Sequence, residues 1–134
     1  TKQFFSVVAL SAYLAVASAQ ARAGCSRNGT VQAGDTCDIL SARDSVSTFQ
    51  LANANQGAID AFCDNIFPDE LLCLGLDGKD CSTVVVVKSG DSCSAIASAA
   101  GIPMATLLAN NPNIDSNCTN VYPDEVLCTS SQVF

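Results

Sequence analysis

The chain is 134 residues long and acidic, with 6 basic residues against 13 acidic ones, a formal net charge of −7, no histidine and no tryptophan. Such a surface repels phosphate backbones and offers no basic patch, which argues against a nucleic-acid partner but leaves neutral polymers open. The lack of histidine excludes Ser–His and Cys–His nucleophilic mechanisms and removes the commonest metal ligand.

The N-terminal stretch reads as a leader. Lys2 precedes an apolar run from Phe4 to Val16, and Ala17-Ser18-Ala19 forms a small-x-small cleavage site. That layout predicts a secretory signal peptide over 1–19 rather than an amphipathic first helix, and the run is too short and interrupted for a membrane span. Residues 20–24 then form an N-terminal extension. The remainder keeps Arg22, Arg27, Arg43, Lys79 and Lys88 against all 13 acidic residues. All 8 cysteines lie behind the leader, which reads as a disulfide framework. Asn28-Gly29-Thr30 and Asn117-Cys118-Thr119 are potential N-glycosylation sites on the same extracellular route. Past Cys128 the only large apolar residues are Val133 and Phe134, so no lipid-anchor tail or membrane helix is expected there.

The cysteines reveal a repeat. The steps between Cys25, Cys37, Cys63 and Cys73 are 12, 26 and 10 residues, and those between Cys81, Cys93, Cys118 and Cys128 are 12, 25 and 10. Two such quartets imply a duplicated unit. Gly34-Asp35-Thr36-Cys37 corresponds to Gly90-Asp91-Ser92-Cys93, and Phe67-Pro68-Asp69-Glu70-Leu71-Leu72-Cys73 to Tyr122-Pro123-Asp124-Glu125-Val126-Leu127-Cys128. The units are therefore placed at 25–74 and 81–129, joined by a linker at 75–80 and followed by a tail at 130–134.

In the first unit Gly29-Thr30-Val31 is a weak opening strand, and Leu40, Val46 and Leu51 mark the inward positions of two helices. In the second, Val84-Val85-Val86-Val87 is a β-branched strand stopped by Ser89-Gly90-Asp91. Asp91 or Ser92 can cap a helix that carries Ile96 and ends near Gly101. Pro103 suits the first turn of a second helix, which points Leu107 and Leu108 inward and stops at Asn111-Pro112. Val126-Leu127-Cys128 closes the unit as a short strand. Ile96, Ile102 and Leu107 take the places of Leu40, Val46 and Leu51, so each unit reads strand, helix, helix, strand in an α+β fold.

About fifty residues with two short strands bury too little apolar area to fold robustly alone. Two disulfides per unit, worth roughly 3 kcal/mol each in the chain-entropy model, would supply the shortfall. Antiparallel end strands would bring the first cysteine of a unit near its last and the helix cysteine near the third. This favours a nested pairing among the three that four cysteines allow.

The combination of Gly-Asp-Thr/Ser-Cys, Asn111-Pro112-Asn113-Ile114 and Tyr122-Pro123 resembles the LysM (lysin motif) domain, and the four-cysteine form resembles fungal secreted LysM proteins, including LysM effectors. The resemblance implies two tandem βααβ domains, each a two-stranded sheet with two helices on one face. Its implied ligands are polymers containing N-acetylglucosamine, such as chitin, its oligomers or peptidoglycan, bound between the loop after strand one and the loop before strand two. Carried over by position, these loops are Gly34, Asp35, Thr36 and Cys37 with Asn55, Gln56, Gly57, Ala58 and Ile59, and then Gly90, Asp91, Ser92 and Cys93 with Asn111, Pro112, Asn113 and Ile114. The first unit departs from the pattern at Asn55 to Ile59. Both units carry Pro-Asp where the family usually has Pro-Gly.

The residue types suit an N-acetyl sugar. A glycine turn beside a helix N-terminus exposes backbone N–H groups to an acetamide oxygen, and Ile59 or Ile114 could meet its methyl. The blander reading makes the first loop a turn plus helix cap and the second a helix stop.

The cysteine spacing does not suit zinc, and no metal or cofactor is expected. Asp69-Glu70 and Asp124-Glu125 are adjacent carboxylates in turns, read as solvated rather than as a glycosidase pair. The function that the resemblance implies is non-enzymatic binding of chitin and its oligomers, here by a secreted, extracellular protein without membrane attachment. The resemblance further implies that such a protein would sequester fragments from host immune receptors or shield a fungal wall from chitinases, and long ligands could drive self-association. The alternative is a structural wall protein that binds another glycan or a protein.

Overall fold

The computed structural model describes residues 22–60 and 62–134; the leader expected at 1–19 lies outside them. Two βααβ units follow one another. The first comprises β1 (Cys25–Thr30), α1 (Cys37–Asp44), α2 (Thr48–Ala54) and β2 (Leu71–Leu76), and the second β3 (Val84–Val86), α3 (Cys93–Ala100), α4 (Met104–Asn110) and β4 (Val126–Cys128). Each unit carries its own antiparallel pair, β1 with β2 and β3 with β4.

Local chemistry sets most boundaries. The hydroxyls of Thr36, Ser47 and Ser92 accept hydrogen bonds from the N–H groups of Ile39, Gln50 and Ala95 and so cap α1, α2 and α3. Gly101 ends α3 with a φ of 68°, its N–H reaching back to Ala97 and Ser98. Pro103, with φ −64°, leads into α4 without a side-chain cap. The strand furthest from its expected bounds is β1, which runs from Cys25 to Thr30 rather than from Gly29 to Val31, while β3 stops one residue short of Val87. Ser-Arg-Asn has poor strand propensity, but pairing with the apolar β2 overrides it from Cys25↔Leu76 to Thr30↔Leu71.

The inward positions align across the repeat. Val31, Leu40, Val46, Leu51, Leu72 and Leu74 form the first core, while Val87, Ile96, Ile102, Leu107, Ile114 and Leu127 lie in the second. Each fully buried aliphatic side chain contributes about 2 kcal/mol. The disulfides close both units in nested fashion, Cys25–Cys73 around Cys37–Cys63 and Cys81–Cys128 around Cys93–Cys118.

Residues 75–80, read above as a linker, hold the end of β2 and a tight turn in which the Lys79 N–H donates to the Leu76 carbonyl at 2.8 Å. Asp80 then accepts from Ser26 and, in a two-point ion pair, from Arg27. The buried Gln50 of α2 donates to the Leu74 carbonyl and to Asp80 and accepts from the Cys81 N–H. Further along, Thr48 Oγ1 accepts from the Val126 N–H of β4 at 3.0 Å. Of these, the Gln50–Cys81 and Thr48–Val126 bonds join one unit directly to the other, so the units are docked rather than merely tethered.

Candidate functional site

Each unit has two loops that face one another, and the inner disulfide fastens them together. Cys37 at the start of α1 is bonded to Cys63 in the loop before β2, as Cys93 is to Cys118. The first loop bends at Gly34 and Gly90, whose φ values of 86° and 87° favour glycine. Asp35 and Asp91 turn their carboxylates back on the same bend, accepting from the Gln32 and Lys88 N–H groups at 2.7 and 2.8 Å. Arg43 pairs with Asp35 as well. With Thr36 and Ser92 capping their helices, the side chains of this loop largely hold its shape. The first-turn N–H groups that remain are its free donors.

The second loop is organised around an aspartate. Asp60 Oδ1 accepts from the N–H groups of Phe62 and Asp64, and Asp115 Oδ1 from those of Asn117 and Thr119. Asn65 and Asn120 close the loops by accepting from the Asp60 and Asp115 N–H groups and donating to the Ala58 and Asn113 carbonyls. The Asp-x-x-Cys-x-Asn pattern at Asp60–Asn65 and Asp115–Asn120 is the sequence signal that would have located this scaffold.

The expected loop residues divide sharply. Asn55 and Asn111 point inward: each donates to a helix carbonyl (Leu51, Leu107) and a strand carbonyl (Cys73, Cys128) and accepts from that strand's N–H. Asn111 is 0 % exposed, and its amide is committed to the fold. Ile114 belongs to the second core, whereas Ile59 is half-buried against the first. Asn113 donates to Glu125. Gly90, Asp91, Ser92 and Pro112 are exposed and Cys93 is buried.

In the first unit a cavity of about 380 Å³ lies between the two loops, lined by Thr36, Cys37 and Ile59 from the expected set. Gly34, Asp35, Asn55, Gln56, Gly57 and Ala58 do not line it. Its other walls include Asp38, Thr48 and Phe62, which motif spacing did not flag, and Tyr122, which the repeat had marked only as part of the closing turn of the second unit. Phe62 is 87 % exposed and Tyr122, from the second unit, 43 %.

The floor beside Tyr122 is a small polar network. Asp38 Oδ1 accepts from the hydroxyls of Thr48 and Tyr122, both at 3.3 Å. Burial pushes the Asp38 carboxyl up, against the pull of these two donors. Burial, reinforced by the Asp38 charge, pushes the Tyr122 phenol up to about 12, so it stays protonated and donates.

The paired carboxylates require a correction. Asp124 is exposed, but Glu125, expected to be solvated, is 1 % exposed. Its two oxygens accept from Asn113 at 2.7 Å and from the Tyr122 N–H at 3.3 Å, because the chain folds this turn against the second loop. Glu70 makes the matching bond to the Phe67 N–H and stays half-exposed. Asp69 and Asp124 have φ values of 68° and 73°, which explains why glycine would serve at these positions and why aspartate is tolerated.

The LysM domain pattern matches residues 30–75 and 85–130. The chain belongs to the LysM domain family. LysM relatives include the "Non-secreted LysM effector LCP1" of Gibberella moniliformis, 35 % identical over 88 % of this chain and 16 % of its own length. The "Secreted LysM effector Blys8" of Beauveria bassiana is 25 % identical over 73 % of this chain and 32 % of its own, and the "Secreted LysM effector LysM1" of Trichophyton rubrum 24 % over 78 % and 50 %. The chain thus spans half or less of the length of these LysM relatives.

Proposed function

We propose that this LysM pair binds chitin and its N-acetylglucosamine oligomers without cleaving them, outside the cell. The cavity between the two disulfide-linked loops of the first unit carries this reading, because Thr36, Cys37 and Ile59, from the loops that the LysM resemblance implies, line it. It offers hydroxyl and backbone partners beside the apolar surfaces of Ile59 and Phe62, a mixture that suits an acetamido sugar. The absence of hydrolysis is supported by the roles of Glu70 and Glu125, whose carboxylates cap their own turns. Secretion is supported by relatives named as secreted effectors and by cysteines that are all paired. In that setting the protein keeps chitin fragments from host receptors or shields a fungal wall, and long oligomers bridge molecules into assemblies. A pull-down on chitin, cellulose, chitosan and peptidoglycan tests the reading. Retention on chitin alone, with no release of soluble sugar, is expected; absence from the chitin fraction overturns it.

A further inference from the structure

The two exposed aromatic residues of the first unit's cavity come from different units. Phe62 sits in the Asp60 loop, whereas Tyr122 belongs to the turn that precedes β4. Tyr122 is held in place by its own unit, through the adjacent Glu125 carboxylate, and by the first unit, through its hydroxyl on Asp38. Thr48 strengthens the same contact, since it donates to Asp38 and accepts from the N–H of Val126, the first residue of β4. The repeat provides an internal comparison. Phe67 occupies the corresponding turn position in the first unit, lacks the hydroxyl, is 65 % exposed and does not line this cavity. A half-exposed phenol pinned across a domain junction at the rim of a cavity is not accounted for by the packing of either unit alone.

We propose that Tyr122 is a ligand-contacting residue of the first LysM unit's groove, where its ring and that of Phe62 supply the aromatic surface for one sugar of the bound oligomer. The apolar C–H face of a β-linked pyranose packs on such rings, and tyrosine presents that area at low entropic cost. This rests on the chitin-binding reading above and extends it: the first groove is complete only when the second unit is docked. Aromatic contact surface therefore exists here without tryptophan, assembled from two single residues rather than built as one platform.

The test uses the full chain and chitotetraose, followed by calorimetry and by NMR of the Ile59 methyl groups and the Tyr122 ring. Wild-type protein is expected to bind, with intermolecular NOEs from sugar protons to the Tyr122 ring. Tyr122→Ala is expected to weaken the event that shifts Ile59 by about three- to ten-fold. Tyr122→Phe, which keeps the ring, loses less. Phe62→Ala lies at a largely exposed position and gives a second reading that does not depend on folding, with a similar loss. Wild-type binding that Tyr122→Ala and Phe62→Ala both leave intact overturns the inference while the chitin reading stands. So does a Tyr122→Phe variant as impaired as Tyr122→Ala. Failure of the wild type to bind chitotetraose removes both.

Discussion

Asp80 lies directly over Gly75, so that a Cβ on the glycine would come within 2.5 Å of its Oδ1 and 2.8 Å of its Cβ. The carboxylate cannot easily step aside, because Arg27, Ser26 and Gln50 all bond to it. Gly75→Ala is therefore expected to cost about 1–3 kcal/mol in urea unfolding by displacing Asp80 from this network. In an Asp80→Ala background the same substitution should cost clearly less, and a double-mutant cycle reads the difference. Equal costs in both backgrounds would show that the close approach has no energetic weight.

A second expectation concerns the inward asparagines. Asn111→Ala leaves the Cys128 N–H and the Leu107 and Cys128 carbonyls without their buried partner. The expected loss is about 2–4 kcal/mol, measured as a fall in thermal or denaturant midpoint. Asn55→Ala should behave alike, since its bonds repeat the pattern. A loss below about 0.5 kcal/mol would mean that these bonds are replaced by water.

These asparagines mark where the sequence becomes hard to read. Leu40, Val46 and Leu51 align with Ile96, Ile102 and Leu107 because helical periodicity and repeat spacing act over a few residues, and all six are buried. The caps at Thr36 and Ser92 are equally local. Asn55 and Asn111 looked like loop residues because nothing nearby signals that strands 17 or 18 residues away take up their amides. Glu125 was read as solvated for the same reason, its burial depending on the loop that carries Asn113. The junction lies further out of reach: Thr48–Val126 and Asp38–Tyr122 are separated by 78 and 84 residues, and no spacing rule spans two repeats.

The pH dependence should have two opposing limbs. Glu125 and Asp38 are raised chiefly by burial, so the folded protein holds their protons more tightly than the unfolded chain. Their contribution is full below the unfolded value and is lost as pH rises through the folded one. Asp80 is lowered, chiefly by Arg27, so its contribution is full above the ordinary value of 3.8 and is lost as pH falls through the depressed one. The stability maximum is expected on the acid side of neutrality, in denaturation midpoints taken across pH. Asp80→Asn should flatten the acid limb and leave the other in place; an unchanged acid limb would assign that loss to different carboxylates.

Ligand binding should respond to polymer length but not to salt. The proposed ligand is neutral, so an acidic surface contributes little to recognition and screening should leave affinity almost unchanged. On the proposed reading each LysM unit offers a contact, so a second contact by one chain becomes effectively intramolecular, which predicts a steep gain from short to long oligomers. Calorimetry with a chitin oligomer series at low and high salt checks both points. A collapse at high salt, or equal affinity for disaccharide and octamer, would point to a different ligand.

The nesting of the disulfides bears on survival among proteases. A single cut anywhere from 26 to 72 leaves both fragments joined through Cys25–Cys73, and one from 82 to 127 leaves them joined through Cys81–Cys128. Only a cut between Cys73 and Cys81 can part the two halves. That short stretch runs as a paired strand into a hydrogen-bonded turn and on to Asp80, which Arg27 and Gln50 hold in place, so a protease needing an extended substrate finds little there to grip. Nicked molecules should therefore keep their covalent integrity and, with it, both disulfide-closed units.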